Sequence, residues 1–216
     1  MKLNLKSEII PWLLILISSV AAIYFYFNFP AVVATHWNFY GQADGFSGRG
    51  FGAFFLPILV IISYLFITLL PYLDPKKERY KEFLGAYLGF RTVLILLFVF
   101  LQFITGFYNL GYKLNIGIAV TWLIGLLMLY IGWLMPKIKS NWFVGIRTPW
   151  TLSSDNVWNK THALGRWLFV IFGLDIILMP YLPETWAITA FILGLMVLLL
   201  GSFGYSYWLY CQEKKI

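Results

Sequence analysis

The strongest constraint on this chain is its apolar runs. Six of them, at 9–29, 51–73, 84–108, 116–135, 164–182 and 186–210, are each about as long as a bilayer is thick. A hydrocarbon core about 30 Å thick is crossed by roughly 20 apolar residues wound as a helix. The second run contains Pro57 and Pro71, where a kink or a helix end is expected. Hydrophobic residues make up 61% of the chain and charged residues 12%. A soluble domain carries about 25% charge, so this chain has too little to cover a soluble surface of its size. That excludes an ordinary soluble enzyme, a disordered protein and a collagen-like fibre. In lipid, every backbone polar group must be bonded within the protein, which leaves helices or closed barrels. The runs lack strand alternation. The expected fold is therefore an all-α membrane protein, a six-transmembrane-helix bundle. The first run is too long for a signal-peptide core and no A-x-A-like site follows it, so it reads as an uncleaved helix.

The links between the runs alternate in charge. Lys2 and Lys6 precede the first run, and Lys76, Lys77, Arg79 and Lys81 precede the third. Lys137, Lys139, Arg147, Lys160 and Arg166 lie before or at the start of the fifth, and Lys214 and Lys215 follow the sixth. The remaining links hold only Arg49 and Lys113. Basic residues gather on cytoplasmic links, so both termini are expected in the cytoplasm, as an even number of spans also requires. The net charge of +7 then reports orientation and attraction to membrane lipids rather than direct nucleic-acid binding. One integral membrane unit is expected. Within it, 1–83 forms a helical pair with an extracellular loop, 84–135 a central pair, and 136–216 a cytoplasmic loop with two helices. The single cysteine, Cys211, reads as an unpaired thiol near the membrane.

The first link, 30–50, is glycine-rich and aromatic. Gly41, Gly45, Gly48 and Gly50 with Asp44 call for turns. Trp37, Phe39, Tyr40 and Phe46 are suited either to an interfacial aromatic belt or to docking an amphipathic ligand beside Asp44. Only two histidines are present, His36 and His162, and the topology puts them on opposite faces. With no cysteine near either and three or four ligands needed for zinc, no metal and no cofactor are expected.

The fourth link, 136–166, is the most polar stretch. Ser153 or Ser154 before Asp155 is a candidate helix N-cap. A helix beginning there sets Asp155, Trp158, His162 and Arg166 on one face. Arg147, between Gly145 and Thr148-Pro149, sits on an extended turn. Arg147, Arg166 and His162 are candidates to converge on an anion, unless the segment is a basic collar bonded to its own loops. Within the spans, Arg91 and Asp175 are the costly charges. A buried Asp175–Arg91 pair, a snorkelling Arg91 beside a protonated Asp175, and a proton or cation relay at Asp175 all remain open. No G-x-S-x-G, H-E-x-x-H or P-loop string occurs, and no enzyme is expected.

Two strings in these links carry a family resemblance. THWNFYGQADGF, residues 35–46, resembles the His-Trp…Gly…Asp-Gly signature of SdpI-family membrane proteins. NWFVGIRTPWTLSSDNVWNKTH, residues 141–162, resembles that family's second signature. The matching positions are His36, Trp37, Gly41 and Asp44 in the first, and Asn141, Gly145, Arg147, Thr148, Pro149, Trp158 and His162 in the second. The resemblance implies a multi-pass protein of the bacterial plasma membrane that confers immunity to a secreted, membrane-active antimicrobial peptide. It also implies a receptor role, in which a transcriptional repressor is held at the membrane. The alternative, from the charges alone, is a transporter or lipid-handling protein using Asp175 and the basic cytoplasmic cluster.

Overall fold

A computed structural model of the chain describes residues 4–38 and 41–215. Lys2, Phe39 and Tyr40, named above, lie outside the described residues. In chain order the elements are α1 (Leu5–Asn28), β1 (Val32–Trp37), β2 (Ala43–Gly48), α2 (Arg49–Leu73), α3 (Leu84–Asn109), α4 (Ile116–Leu134), α5 (Pro149–Ser153), α6 (Asp155–Leu178) and α7 (Glu184–Lys214). Short 3-10 turns span Lys77–Phe83, Met135–Lys137 and Met179–Tyr181. Among the described residues six helices are long and apolar enough to cross a membrane, as expected. α2 continues through Pro57 and ends two residues after Pro71. α6 begins at Asp155 under a Ser154 cap, whose hydroxyl accepts from the Val157 amide at 3.3 Å. The glycine-rich first link adds one element the apolar pattern did not carry, the antiparallel β1–β2 hairpin.

The chain divides into two compact units. One comprises 2–68 and 91–123. Its apolar centre is Phe25 of α1, stacked on Phe29 at 5.2 Å and meeting Phe103 and Phe107 of α3 edge-on. A side chain at Gly106 would put its Cβ 2.3 Å from the Phe25 ring, so α3 must have glycine where that ring lies. Polar side chains also link α1 to α3. The Ser18 hydroxyl donates to Gln102 Oε1 at 2.6 Å, and the Gln102 amide donates back to the Ser18 carbonyl at 2.9 Å.

The charged heart of this unit removes one of the three readings left open for Arg91 and Asp175, their pairing with each other. Arg91 is wholly buried, and its ion-pair partner is Glu8 of α1, at 2.8 Å. Its other guanidinium nitrogen donates to the Thr68 hydroxyl at 2.8 Å. Tyr64 donates to the second Glu8 oxygen at 2.9 Å, with its ring centroid 5.1 Å from the guanidinium carbon. One acid thus gathers α1, α2 and α3 around a single cation.

The other unit comprises 69–90 and 124–216. α6 packs along α7 around Phe172, Ile176 and Leu198. α4 approaches α6 closely through glycine. A Cβ at Gly125 would lie 2.8 Å from the Gly173 carbonyl, and one at Gly132 would lie 2.8 Å from the Arg166 carbonyl. Small residues that let backbones approach are the usual means of helix association where lipid supplies no hydrophobic drive.

Removing one member of a buried ion pair leaves an uncompensated charge and costs roughly 3–5 kcal/mol, whereas replacing both is often neutral. Arg91→Met should therefore destabilise the protein by about that amount in detergent unfolding. The double variant Glu8→Gln/Arg91→Met should recover most of the loss. Equal loss in both variants would show that the pair does not hold the three helices.

Candidate functional site

The 136–166 segment folds as a compact knot, and most of its motif residues are consumed in building it. Asn141 is fully buried. Its amide donates to the carbonyls of Lys139 and Val144 at 2.8 and 2.9 Å, and its oxygen accepts from the amides of Phe143 and Val144 at 2.9 and 2.7 Å. The side chain therefore stands in for backbone partners that an isolated turn lacks. Gly145 has φ +112°, and a Cβ there would lie 2.4 Å from His162 Nε2. Only glycine meets both demands. The Ile146 amide then donates to His162 Nε2 at 3.0 Å, and His162 Nδ1 bonds the Trp158 carbonyl at 2.9 Å. That network assigns His162 the neutral tautomer with its proton on Nδ1. Its ring stacks on Trp158 at 4.2 Å, and the Trp158 indole donates to the Ile138 carbonyl at 2.8 Å.

Thr148 caps α5 in a reciprocal box with Thr151, and Pro149 occupies the first turn, where its missing N–H costs nothing. The Thr148 hydroxyl also donates to Ser206 of α7 at 3.0 Å. Trp150 packs against Phe203 and Tyr207 of the same helix.

Of the two readings left open for Arg147, Arg166 and His162, convergence on an anion does not occur. His162 is buried with both ring nitrogens occupied. Arg166 is exposed and lies over Trp167 of its own helix. Arg147 is also exposed, and donates to the Trp142 carbonyl at 2.7 Å. Of the seven motif positions in this segment, Arg147 and Pro149 keep exposed side chains, and only Arg147 offers a charge.

Sequence reasoning missed the residues that clamp the knot from 74–80. Asp74 is buried, and its carboxylate accepts from the Lys76 amide at 2.7 Å, the Tyr80 hydroxyl at 2.9 Å and the Trp142 amide at 3.0 Å. Tyr80 reaches on to Asn141 at 3.3 Å. Arg79 forms a two-pronged pair with Asp155 at 2.8 and 2.7 Å, a geometry that fixes orientation as well as charge. Asp74 stands directly before Pro75 at the close of an apolar run, which was the available signal.

The hairpin carries the other motif. His36 Nδ1 lies 2.5 Å from Asp44 Oδ1, with the two side chains 72% and 45% exposed. Gly45 is needed opposite His36, since a Cβ there would lie 2.7 Å from the His36 Cβ. Gly41 turns the loop at φ +73° and abuts Asn115 and Gly117, where a Cβ would lie 3.1 Å from the Gly117 nitrogen. Trp37 meets Tyr108 edge-to-face at 5.3 Å. Asn109, at the end of α3, was also missed. It accepts from the Ala34 amide at 2.8 Å and donates to the Ala34 carbonyl at 3.0 Å, satisfying the β1 edge as a third strand would. The exposed residues of this element include His36, Asp44 and Phe46, with Val32 and Gly48 at its open end and Gln42 at its turn.

Asp175 makes no ion pair among the described residues. Its Oδ2 is buried without a hydrogen-bond partner, and Gly194 of α7 leaves it room, since a Cβ there would lie 2.9 Å away.

Comparison with known proteins gives three findings. Residues 137–206 match the SdpI/YfhL protein family, and residues 13–61 match a domain of unknown function, DUF1648. The chain is 26% identical over 205 residues to the Immunity protein SdpI of Bacillus subtilis (strain 168), covering 93% of this chain and 96% of that one. No solved structure matches. The resemblance to the SdpI family is thus shown by a family match and by a relative spanning nearly the whole chain, and the protein is a multi-pass bacterial membrane protein.

Two substitutions in the knot should separate scaffold from surface. Gly145→Ala forces an L-residue to positive φ and drives a methyl into His162. It should lower stability by roughly 2–4 kcal/mol, read by thermal unfolding in detergent. Arg147→Ala removes an exposed side chain and should stay within about 0.5 kcal/mol of the parent.

Proposed function

We propose that this protein is a membrane immunity protein that protects its cell against a secreted, membrane-active peptide, acting by binding rather than by catalysis. The observation that carries the reading is the alignment of 93% of the chain with the Immunity protein SdpI. In this reading both termini are cytoplasmic, the hairpin is the outer receptor surface, and the 136–166 knot lies inside. His36 and Asp44 form a polar pair beside the exposed ring of Phe46, which suits contact with an amphipathic peptide. Arg147 is the exposed cation among the knot's motif positions, and it would contact a partner's carboxylate. If the cell also uses the protein to hold a transcriptional repressor at the membrane, that residue is where it would do so.

The test is expression in a Bacillus subtilis strain lacking its Immunity protein SdpI and challenged with secreted killing peptides. Survival should rise with the parent chain. It should fall with His36→Ala/Asp44→Ala while the membrane level of the protein is unchanged. Full-length protein in the membrane with no gain against any peptide would defeat the reading.

A second reading, transport or lipid handling, draws on the unpartnered Asp175 oxygen. Intramembrane carboxylates without a cation partner are typical of relay positions. Under that reading Asp175→Asn abolishes an uptake, efflux or lipid-flip signal in proteoliposomes, and under the immunity reading it leaves peptide resistance intact.

A further inference from the structure

A recess outside both motif loops lies where two spans end. It is lined by Lys81, Glu82, Phe83, Leu84, Gly85 and Ala86 on one side and by Lys137 and Lys139 on the other. Leu84 opens α3, while Lys137 closes the short turn after α4, so the recess lies level with the ends of two membrane helices. Its lining is divided. Three lysines and Glu82 contribute to it beside the apolar residues Phe83, Leu84 and Ala86, of which Leu84 and Ala86 belong to the start of α3.

The rim cations are not equivalent. Lys81 is paired with Glu78, three residues before it on an exposed turn. Glu82 leans toward Arg79, with its oxygen 3.6 Å from the guanidinium. Lys137 and Lys139 have no carboxylate partner among the described residues. Lys137 is held in place from below, its ammonium 2.8 Å from the ring centroid of Trp133, which itself stacks on Tyr130. Two lysines without a carboxylate partner among the described residues, one of them with its ammonium on a tryptophan ring, therefore line a recess that also carries apolar residues. Gly85 adds no side chain to fill it, and a Cβ there would meet nothing within 4 Å.

We propose that this recess binds the headgroup of an anionic glycerophospholipid. Lys137 and Lys139 hold the phosphodiester, Lys81 supports it at the rim, and the Phe83–Leu84–Ala86 shoulder takes the first carbons of an acyl chain. The membrane's own lipid is favoured over a free anion because the lysines and the apolar residues line the same recess, next to the ends of two long apolar helices. A soluble phosphate would have no use for that lining, while a lipid matches both parts. Basic side chains near an anionic surface each contribute favourably to such contacts. The inference stands apart from the immunity reading, because these cations lie outside both motif strings, 35–46 and 141–162.

The test uses the full-length protein extracted from nanodiscs of phosphatidylcholine with and without phosphatidylglycerol, with bound lipid counted by native mass spectrometry. The parent should retain phosphatidylglycerol over phosphatidylcholine. Lys137→Gln/Lys139→Gln should lose that preference several-fold, while Lys160→Gln/Lys214→Gln, which removes the same charge elsewhere, should keep it. Unfolding temperatures in pure phosphatidylcholine should be alike in all three, separating lipid loss from misfolding. Equal loss in both double variants would reduce the effect to bulk charge and overturn the site. Displacement of the retained lipid by millimolar inorganic phosphate would also overturn it, in favour of a free-anion site.

Discussion

The bilayer offers no water, so each polar group placed within it must find its partner in the protein. Most of the construction follows from that. The first unit answers it with Glu8 and Arg91, whose mutual neutralisation is completed by Tyr64 and Thr68 from α2. Ser18 and Gln102 repeat the solution without charge, each donating to the other's residue. A paired polar group inside a membrane is directional in a way that apolar contact is not. Lipid tails compete with Leu and Phe for helix faces, but they cannot replace a carboxylate opposite a guanidinium. These pairs therefore set which faces of α1, α2 and α3 meet, and the phenylalanine cluster around Phe25 fills the space they define.

The same constraint explains how the hairpin and the knot are finished. A two-stranded hairpin leaves two open edges, and Asn109 closes one of them by bonding both backbone groups of Ala34. The knot has no strand or helix to satisfy its turns at 141–146, so Asn141 and His162 act as substitutes for backbone. Asp74 does the same from outside the loop, collecting three donors on one carboxylate. This is why the motif composition is so particular. Asn141 needs both an acceptor and a donor, Gly145 needs positive φ with no Cβ, and His162 needs one nitrogen of each kind.

The long elements were legible in the sequence because their signals are local. Apolar length marked the six spans, and a serine before an aspartate marked the start of α6. The partnerships were not legible, because they join residues far apart in the chain. Glu8 lies 83 positions from Arg91, Asp74 lies 68 from the Trp142 amide, and Asn109 lies 75 from Ala34. Nothing in the neighbourhood of Arg91 identifies Glu8, which stands just before the first apolar run and reads as part of the polar N-terminus. Asp175, deeper in its span, is the more conspicuous acid and so the more tempting partner. At the knot the choice between two readings was open for another reason. Spacing put Trp158, His162 and Arg166 on one helical face, but a shared face does not decide between burial and exposure. Trp158 and His162 went inward against Gly145 and Ile138, leaving Arg166 alone outside.

The scaffold role of the motifs changes where recognition is to be sought. A residue whose every polar atom is committed internally cannot also hold a ligand without breaking the loop it builds. Asn141 and His162 are committed in this way, and Thr148 is buried in its own cap. What they support is a rigid base for a few exposed groups, with Arg147 set between an extended cap and a glycine turn. The lipid recess abuts the same base, because Lys139 offers its side chain to the rim and its carbonyl to Asn141. A phosphate held by Lys137 and Lys139 would therefore restrain the opening residues of the knot, while Asp74 restrains them through the Trp142 amide. The opening of the loop is then fixed by groups that lie outside the motif, and Arg147, the exposed cation among its motif positions, is presented in a defined direction.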